Sequence, residues 1–246
     1  MATYVLVPGF WLGAWAWDEV AADLRAAGHE VFAVTLTGLA ERAGELTRDV
    51  GVQTHVADIT GVIEDNDLRE VILVLHSGAN VPGTGAADRI PERIKRVVYV
   101  DTGPLPSGMR GIEFFDPEEQ AATVKQVESE GEGWKIPVRD LDPAADPQLL
   151  AGLTAEHLEE FARRGTPQPY ASWDEAMTRP EPLPSTPKTL VLNTFPLAAV
   201  EQMASAGIPA FALMSGPEWT YRELPTGHWP MFSTPHELAE ILAADA

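Results

Sequence analysis

Short, nearly uninterrupted apolar runs alternate along this chain with longer segments of helical spacing, and that alternation restricts the fold more than any other feature. Residues 4–7 form the first run, stopped by Pro8-Gly9. Residues 17–27 then place Trp17, Val20, Ala21 and Leu24 on one helical face and end at Gly28, a residue suited to a helix C-cap. A strand over 30–36, a helix over 50–63 with Val56, Ile59, Val62 and Ile63 on one side, a strand over 71–75, a helix over 78–89 and a strand over 96–100 follow. Strands this apolar are buried on both faces, which predicts an α/β fold with a parallel sheet covered by helices on each side.

The rhythm stops near residue 105 and resumes at 188. The stretch between holds 16 acidic and 7 basic residues and 11 of the chain's 21 prolines, with no convincing strand and with helices predicted over 117–130 and 147–164. Beyond it, 188–193 and 220–224 read as strands, and 198–205, 209–215 and 235–244 as helical pieces. The expected organisation is a core of residues 1–104 and 188–246 built on a mostly parallel sheet of about six strands. Residues 105–187 are expected to form a helical cap insertion above the carboxyl ends of those strands, where α/β sheets bind ligands. A chain of 246 residues is long enough for one such domain, and 45% hydrophobic content supplies its core.

Composition then excludes whole classes of function. The chain has no cysteine, so disulfides, thiolate metal sites and a cysteine nucleophile are ruled out. Its net charge of −20 repels phosphate backbones and anionic lipid headgroups, which argues against nucleic-acid and membrane partners. No G-x-G-x-x-G or G-K-[ST] loop follows the first strand, and no histidine pair has metal-binding i,i+4 spacing. The acidic runs 116–119 and 128–132 read as solvated helix faces. No cofactor and no metal are expected. The first residues lack a basic leader pattern and no run approaches the roughly 20 apolar residues that span a bilayer, so a cytoplasmic location is expected. The expected partner is a small-molecule substrate, and a homodimer is admitted.

Three local features carry the chemistry. The strand over 71–75 runs through His76 into Ser77-Gly78-Ala79, which sets a serine at a strand-to-helix turn where a helix N-terminus favours developing negative charge. Taken alone, Ser77 reads equally well as a helix cap. Gly227-His228-Trp229 lies between the last strand and the last helix, a place from which an imidazole can take a hydroxyl proton, or simply make a structural hydrogen bond. The other histidines compete poorly: His29 and His236 sit at helix boundaries, His55 and His157 on helices, and His76 is expected in a side wall of the site. Pro8-Gly9-Phe10-Trp11 follows the first strand, and a backbone N–H there, with that of Gly78, would supply the two donors that acyl transfer needs.

In this order and at these strand ends, the three features resemble the α/β-hydrolase superfamily, and within it the small branch of methylesterases and hydroxynitrile lyases with its bacterial relatives. The resemblance covers nearly the whole chain: Val5-Leu-Val-Pro-Gly9, the turn at 27–31, Leu36-Thr-Gly-Leu-Ala-Glu-Arg42, Ser77, and Thr226-Gly-His228. It implies an α/β-hydrolase fold with Ser77 as nucleophile, His228 as base, and the N–H groups of Phe10 and Gly78 as the oxyanion hole. Two positions depart from the family pattern. The usual glycine two residues before the serine is Leu75, so the turn is expected to be opened or the following helix displaced. The usual acid after the penultimate strand is missing, since that loop reads Leu192-Asn193-Thr194. Asp101, at the end of the preceding strand, takes the acid role by resemblance to superfamily members that carry it there, with Asn193 as the alternative orienting group. A cap on the Thr102-Gly103 turn is the other reading of Asp101.

Aromatic residues gather near the expected site: Phe10, Trp11, Trp15, Trp229 and Met231, with Phe114, Phe115, Trp134, Tyr170 and Trp173 available from the insertion. Trp11, His76, Trp229 and Met231 are the expected substrate contacts. The leading functional expectation is a serine hydrolase of a neutral, hydrophobic small-molecule ester. The alternatives are a cofactor-free lyase or tailoring enzyme on the same fold, with His228 acting as base on the substrate, and an inactive small-molecule binding protein.

Overall fold

The computed structural model describes residues 1–244. Its first half alternates strand and helix: β1 (Thr3–Val7), α1 (Asp18–Ala26), β2 (Glu30–Ala33), α2 (Val52–Asp65), β3 (Val71–His76), α3 (Asn80–Arg89) and β4 (Ile94–Val100). The middle contributes α4 (Pro117–Ser129), β5 (Lys135–Ile136), α5 (Ala155–Arg164), β6 (Gln168–Pro169) and the single-turn α6 (Ala171–Asp174). The alternation then resumes with β7 (Lys188–Leu192), α7 (Leu197–Ser205), α8 (Pro209–Ala212), β8 (Trp219–Glu223), α9 (Pro230–Ser233) and α10 (Pro235–Ala244).

Six strands pair in the order β2-β1-β3-β4-β7-β8, all parallel. The period-2 geometry of a strand sorts its apolar side chains onto two faces. Val71, Leu73 and Leu75 of β3 join Val56, Ile59 and Ile63 of α2 in one core cluster. Ile72 and Val74 point the other way, to Val20 and Leu24 of α1 and Leu238 and Leu242 of α10. All six residues of β3 are buried, which is why its sequence reads as an unbroken apolar run. The chain crosses to opposite sides of the sheet on leaving β1 and β3, so a crevice opens beyond their carboxyl ends, the position at which open α/β sheets bind ligands.

The strand expected over 30–36 stops at Ala33. Its last backbone bond is from Val34 N–H to the Leu6 carbonyl, and β1 ends one residue later at Val7, before Pro8. Residues 34–39 stay buried as a loop held by side chains, with Thr35 Oγ1 accepting from Ala14 N–H and Asp58 accepting from both Thr37 N–H and its hydroxyl.

Residues 105–187 contribute no strand to the main sheet. They do contain strand structure that the sequence reading lacks, because β5 and β6 pair antiparallel through only two residues each, too few to set up an alternation. The helix expected over 147–164 begins only at Ala155. Gly152 takes a φ of +81°, which breaks any helix, and the Thr154 hydroxyl then caps α5 by accepting from His157 N–H at 3.2 Å. Among the described residues, no helix is long and apolar enough to cross a membrane.

Candidate active site

Ser77 follows the last residue of β3 and opens a 3-10 turn that runs into α3. Its φ of +49° lies in the left-handed region, which costs a non-glycine residue about 1–3 kcal/mol and persists only where surrounding structure enforces it. Here the enforcement is close packing. A Cβ on Gly9 would lie 2.8 Å from both Ser77 Cβ and His76 Nδ1, so the loop after β1 presses on the turn through a residue without a side chain. A Cβ on Gly78 would lie 2.2 Å from the Phe10 ring, so that ring rests directly on the turn.

Leu75 is accommodated without a small residue at its own position. It is fully buried, and its side chain fills the space in front of Gly83, where a Cβ would lie 2.1 Å from Leu75 Cδ2.

His228 brings the separate strand ends together. Its Nε2 is 2.8 Å from Ser77 Oγ, and its Nδ1 is 2.6 Å from Asp101 Oδ2. Nδ1–H donating to the carboxylate leaves Nε2 free to accept from the serine hydroxyl. Asp101 lies just beyond β4, 6% exposed, with a φ of +50°. The loop after β7, which lacks a carboxylate of its own, supplies donors instead: Asn193 N–H and Thr194 N–H donate to Asp101 Oδ1 at 3.2 and 2.9 Å, and the Thr194 hydroxyl lies 2.8 Å from Oδ2. Burial alone would raise the Asp101 carboxyl. The hydrogen bond and charge of His228, with the donors of Thr194, outweigh it and hold the group below the usual carboxylate range. The Asn193 side chain does not reach His228; its Nδ2 donates to the Leu224 carbonyl at 2.9 Å.

The loop after β1 leaves Phe10 N–H without an acceptor among the described residues, while Trp11 N–H donates to Gln168 Oε1 at 3.3 Å. Trp11 itself has a φ of +68°, so the chain turns sharply just past Phe10. Gln168 is buried and fixed by its own bond to Ser172 Oγ. At the start of a helical turn the first N–H groups lack intrahelical partners, and Gly78 occupies such a place.

A cavity of about 810 Å³ opens over Ser77 and His228. Phe10, Trp11, Phe114, Phe115, Trp173 and Trp229 border it, and Phe10 and Phe115 both meet the Trp173 ring edge to face, at 5.4 and 5.2 Å. Trp229 also packs edge-on to the His228 ring. Met231 is a correction: it lies in the core cluster beneath the sheet, 1% exposed, away from the cavity lining. Trp15 is likewise a core residue, stacked on Phe232. His76 borders the cavity, yet its side chain is fully buried and both ring nitrogens are engaged by protein groups, so no polar atom of the ring is left for a substrate.

Thr194 and Gln168 escaped the sequence reading. The Asn193-Thr194 loop was visible only as one without an acid, and nothing local distinguishes Gln168 from other polar residues of a proline-rich stretch.

The family model described as the alpha/beta hydrolase family matches residues 4–241. A carbendazim-hydrolysing esterase from Nocardioides sp. (strain SG-4G) is 32% identical over 262 residues, covering 99% of this chain and 99% of that protein. Methylesterase 4 of Arabidopsis thaliana is 34% identical over 114 residues, covering 42% of each chain. Among solved structures, an extracellular alpha/beta-hydrolase from a Paenibacillus species superimposes with a TM-score of 0.80 at 19% identity, covering 99% of this chain and 98% of that one.

Proposed function

Because this chain belongs to the alpha/beta hydrolase family, we propose that it is a serine esterase of neutral, hydrophobic small-molecule esters. One observation carries the reading: the unbroken relay from Ser77 Oγ through His228 to Asp101, at 2.8 and 2.6 Å. Ser77 Oγ attacks the ester carbonyl carbon while His228 Nε2 takes its proton. The carbonyl oxygen becomes an oxyanion held by the N–H groups of Phe10 and Gly78. Collapse of this adduct breaks the ester C–O bond, and the departing alkoxide takes the proton from His228. Water then attacks the acyl-serine by the same route and releases the acid.

Throughout, Asp101 stays ionised and stabilises the imidazolium, a role supported by its donors and by the cause of its lowered carboxyl. The aromatic border of the cavity and the pairing of its lining Arg139 with Asp146 support a neutral, apolar substrate, and the size of the cavity suits a drug-sized molecule. Carbendazim, the compound named for the Nocardioides relative, is the first substrate to test, with aryl and methyl esters beside it.

A fluorophosphonate probe is expected to label Ser77, and Ser77→Ala is expected to lower kcat on a cleaved ester by at least about 10³-fold. An accessible but unlabelled serine in the wild-type protein, or substantial turnover by Ser77→Ala beside an inactive His228→Ala, would overturn this mechanism.

A further inference from the structure

We propose that His76 is a positioning residue that holds the base and the oxyanion loop in register, an inference that rests on the serine-esterase reading above. Its imidazole is wedged between two loops that no strand pairing joins. On one side Gly9 N–H donates to Nδ1 at 3.3 Å, and Gly9 directly precedes Phe10. On the other side Nε2 lies 2.7 Å from the carbonyl oxygen of His228. Since Nδ1 accepts, the ring proton sits on Nε2 and is donated to that carbonyl. One neutral ring therefore fixes the peptide leading to an oxyanion donor and the peptide of the base.

Burial sustains this arrangement. His76 is fully buried, edge-on to Trp17, and its burial together with the neighbouring His228 pushes its pKa down to about 3. A protonated ring would turn a second N–H toward the Gly9 N–H and break the bridge.

The base is held from its other end as well. His228 N–H donates to the Leu149 carbonyl at 2.8 Å, and Gly227 N–H to the Ala151 carbonyl at 3.1 Å. Gly227 has no room for a side chain, because a Cβ would lie 2.6 Å from each of these carbonyl oxygens. The peptide before His228 is thus set by the 105–187 segment and the peptide after it by His76. With His76 removed, the His228 carbonyl loses its donor and the next tie on that side is the Trp229 carbonyl, which accepts from Phe232 and Ser233 N–H. Displacements of the base on the order of 1 Å cost about 10²-fold in rate.

Three variants separate the two bonds. His76→Leu removes both, His76→Asn keeps an acceptor near the Nδ1 position alone, and His76→Gln keeps a donor long enough to reach the His228 carbonyl. Expected on an ester the wild type cleaves are kcat values about 10²-fold lower for the Leu and Asn variants, with KM within about threefold, and kcat for Gln within about tenfold of wild type. A second readout is independent of turnover: the downfield proton resonance of His228 Nδ1–H on Asp101 should broaden or move in the Leu and Asn variants and return in Gln. Should His76→Leu fail to fold by thermal melting and near-ultraviolet circular dichroism, the Asn and Gln pair carries the comparison. Wild-type kcat and an unmoved resonance in folded His76→Asn, or a resonance in His76→Gln displaced as far as in Asn, would overturn the proposal. A resonance that follows the predicted series in a protein that neither cleaves esters nor takes up fluorophosphonate would support the positioning role while removing the esterase reading.

Discussion

At Asp101 a nearly buried carboxylate faces three protein donors besides the imidazole, and its charge is held there by them. Asp101→Asn is isosteric, but the amide can present N–H to His228 Nδ1 and select the wrong tautomer, so kcat should fall by about 10³–10⁴-fold. The same group predicts a pH dependence of stability. Its folded-state pKa lies below the ordinary value, so its contribution is complete above the unfolded value of about 3.9 and is lost as pH falls through the lower folded value. The difference in urea midpoint between wild type and Asp101→Asn should therefore hold steady above about pH 5 and narrow only below about pH 4. Narrowing that begins nearer neutrality would assign the effect to another group. The positions of Ser77, Asp101 and His228 at or after strand ends made them candidates, and the resemblance to the α/β-hydrolase superfamily assigned their roles. Thr194 was not legible, since a threonine that donates to a carboxylate 93 residues away leaves no local pattern.

At the scale of elements, the periodicities named the six sheet strands and most helices, because burial on both faces of β3 and one face of α2 writes itself into residue order. What periodicity does not contain is which residues of two elements meet. Leu75 stood out as a departure from the family turn; the room its side chain occupies is left eight positions on, at Gly83 of α3, a contact visible only once strand and helix are packed. The pair makes a coupled prediction. Gly83→Ala forces its methyl into Leu75 and should destabilise the fold by about 1–3 kcal/mol. Leu75→Ala leaves a cavity on its own, yet the double variant should be more stable than the sum of the two single losses. Urea unfolding of the three variants measures this coupling. Simple additivity would mean that Leu75 moves aside at no cost and that the contact does not constrain the turn.

Across the whole molecule, the 105–187 segment is tied to the sheet and its loops at many separated points. Arg179 forms a bidentate, nearly buried pair with Asp88 of α3, Glu175 accepts from Val52 N–H at the start of α2, Gln168 holds the loop after β1, and Leu149 holds the base. Anchors spread this widely make the segment a wall of the site and part of the support of its chemistry. None of these ties could be read beforehand, because each joins residues far apart in a stretch whose composition announces only an interruption of the α/β pattern. That stretch also holds sixteen of the chain's acidic residues against seven basic ones, and Glu119 and Asp140 border the cavity, so a negative field is expected over its approach. Such a field slows the encounter with anions and leaves neutral molecules unaffected. For a matched pair of esters, one neutral and one carrying a carboxylate, kcat/KM of the anionic member should rise with added salt as the Debye length shrinks from about 30 Å at 0.01 M to about 8 Å at 0.15 M. The neutral member should stay flat over the same range. An anionic ester indifferent to salt would mean that the charge of this segment lies too far from the path of the substrate to act on it, and the proposed preference for neutral esters would then rest on the aromatic border of the cavity alone.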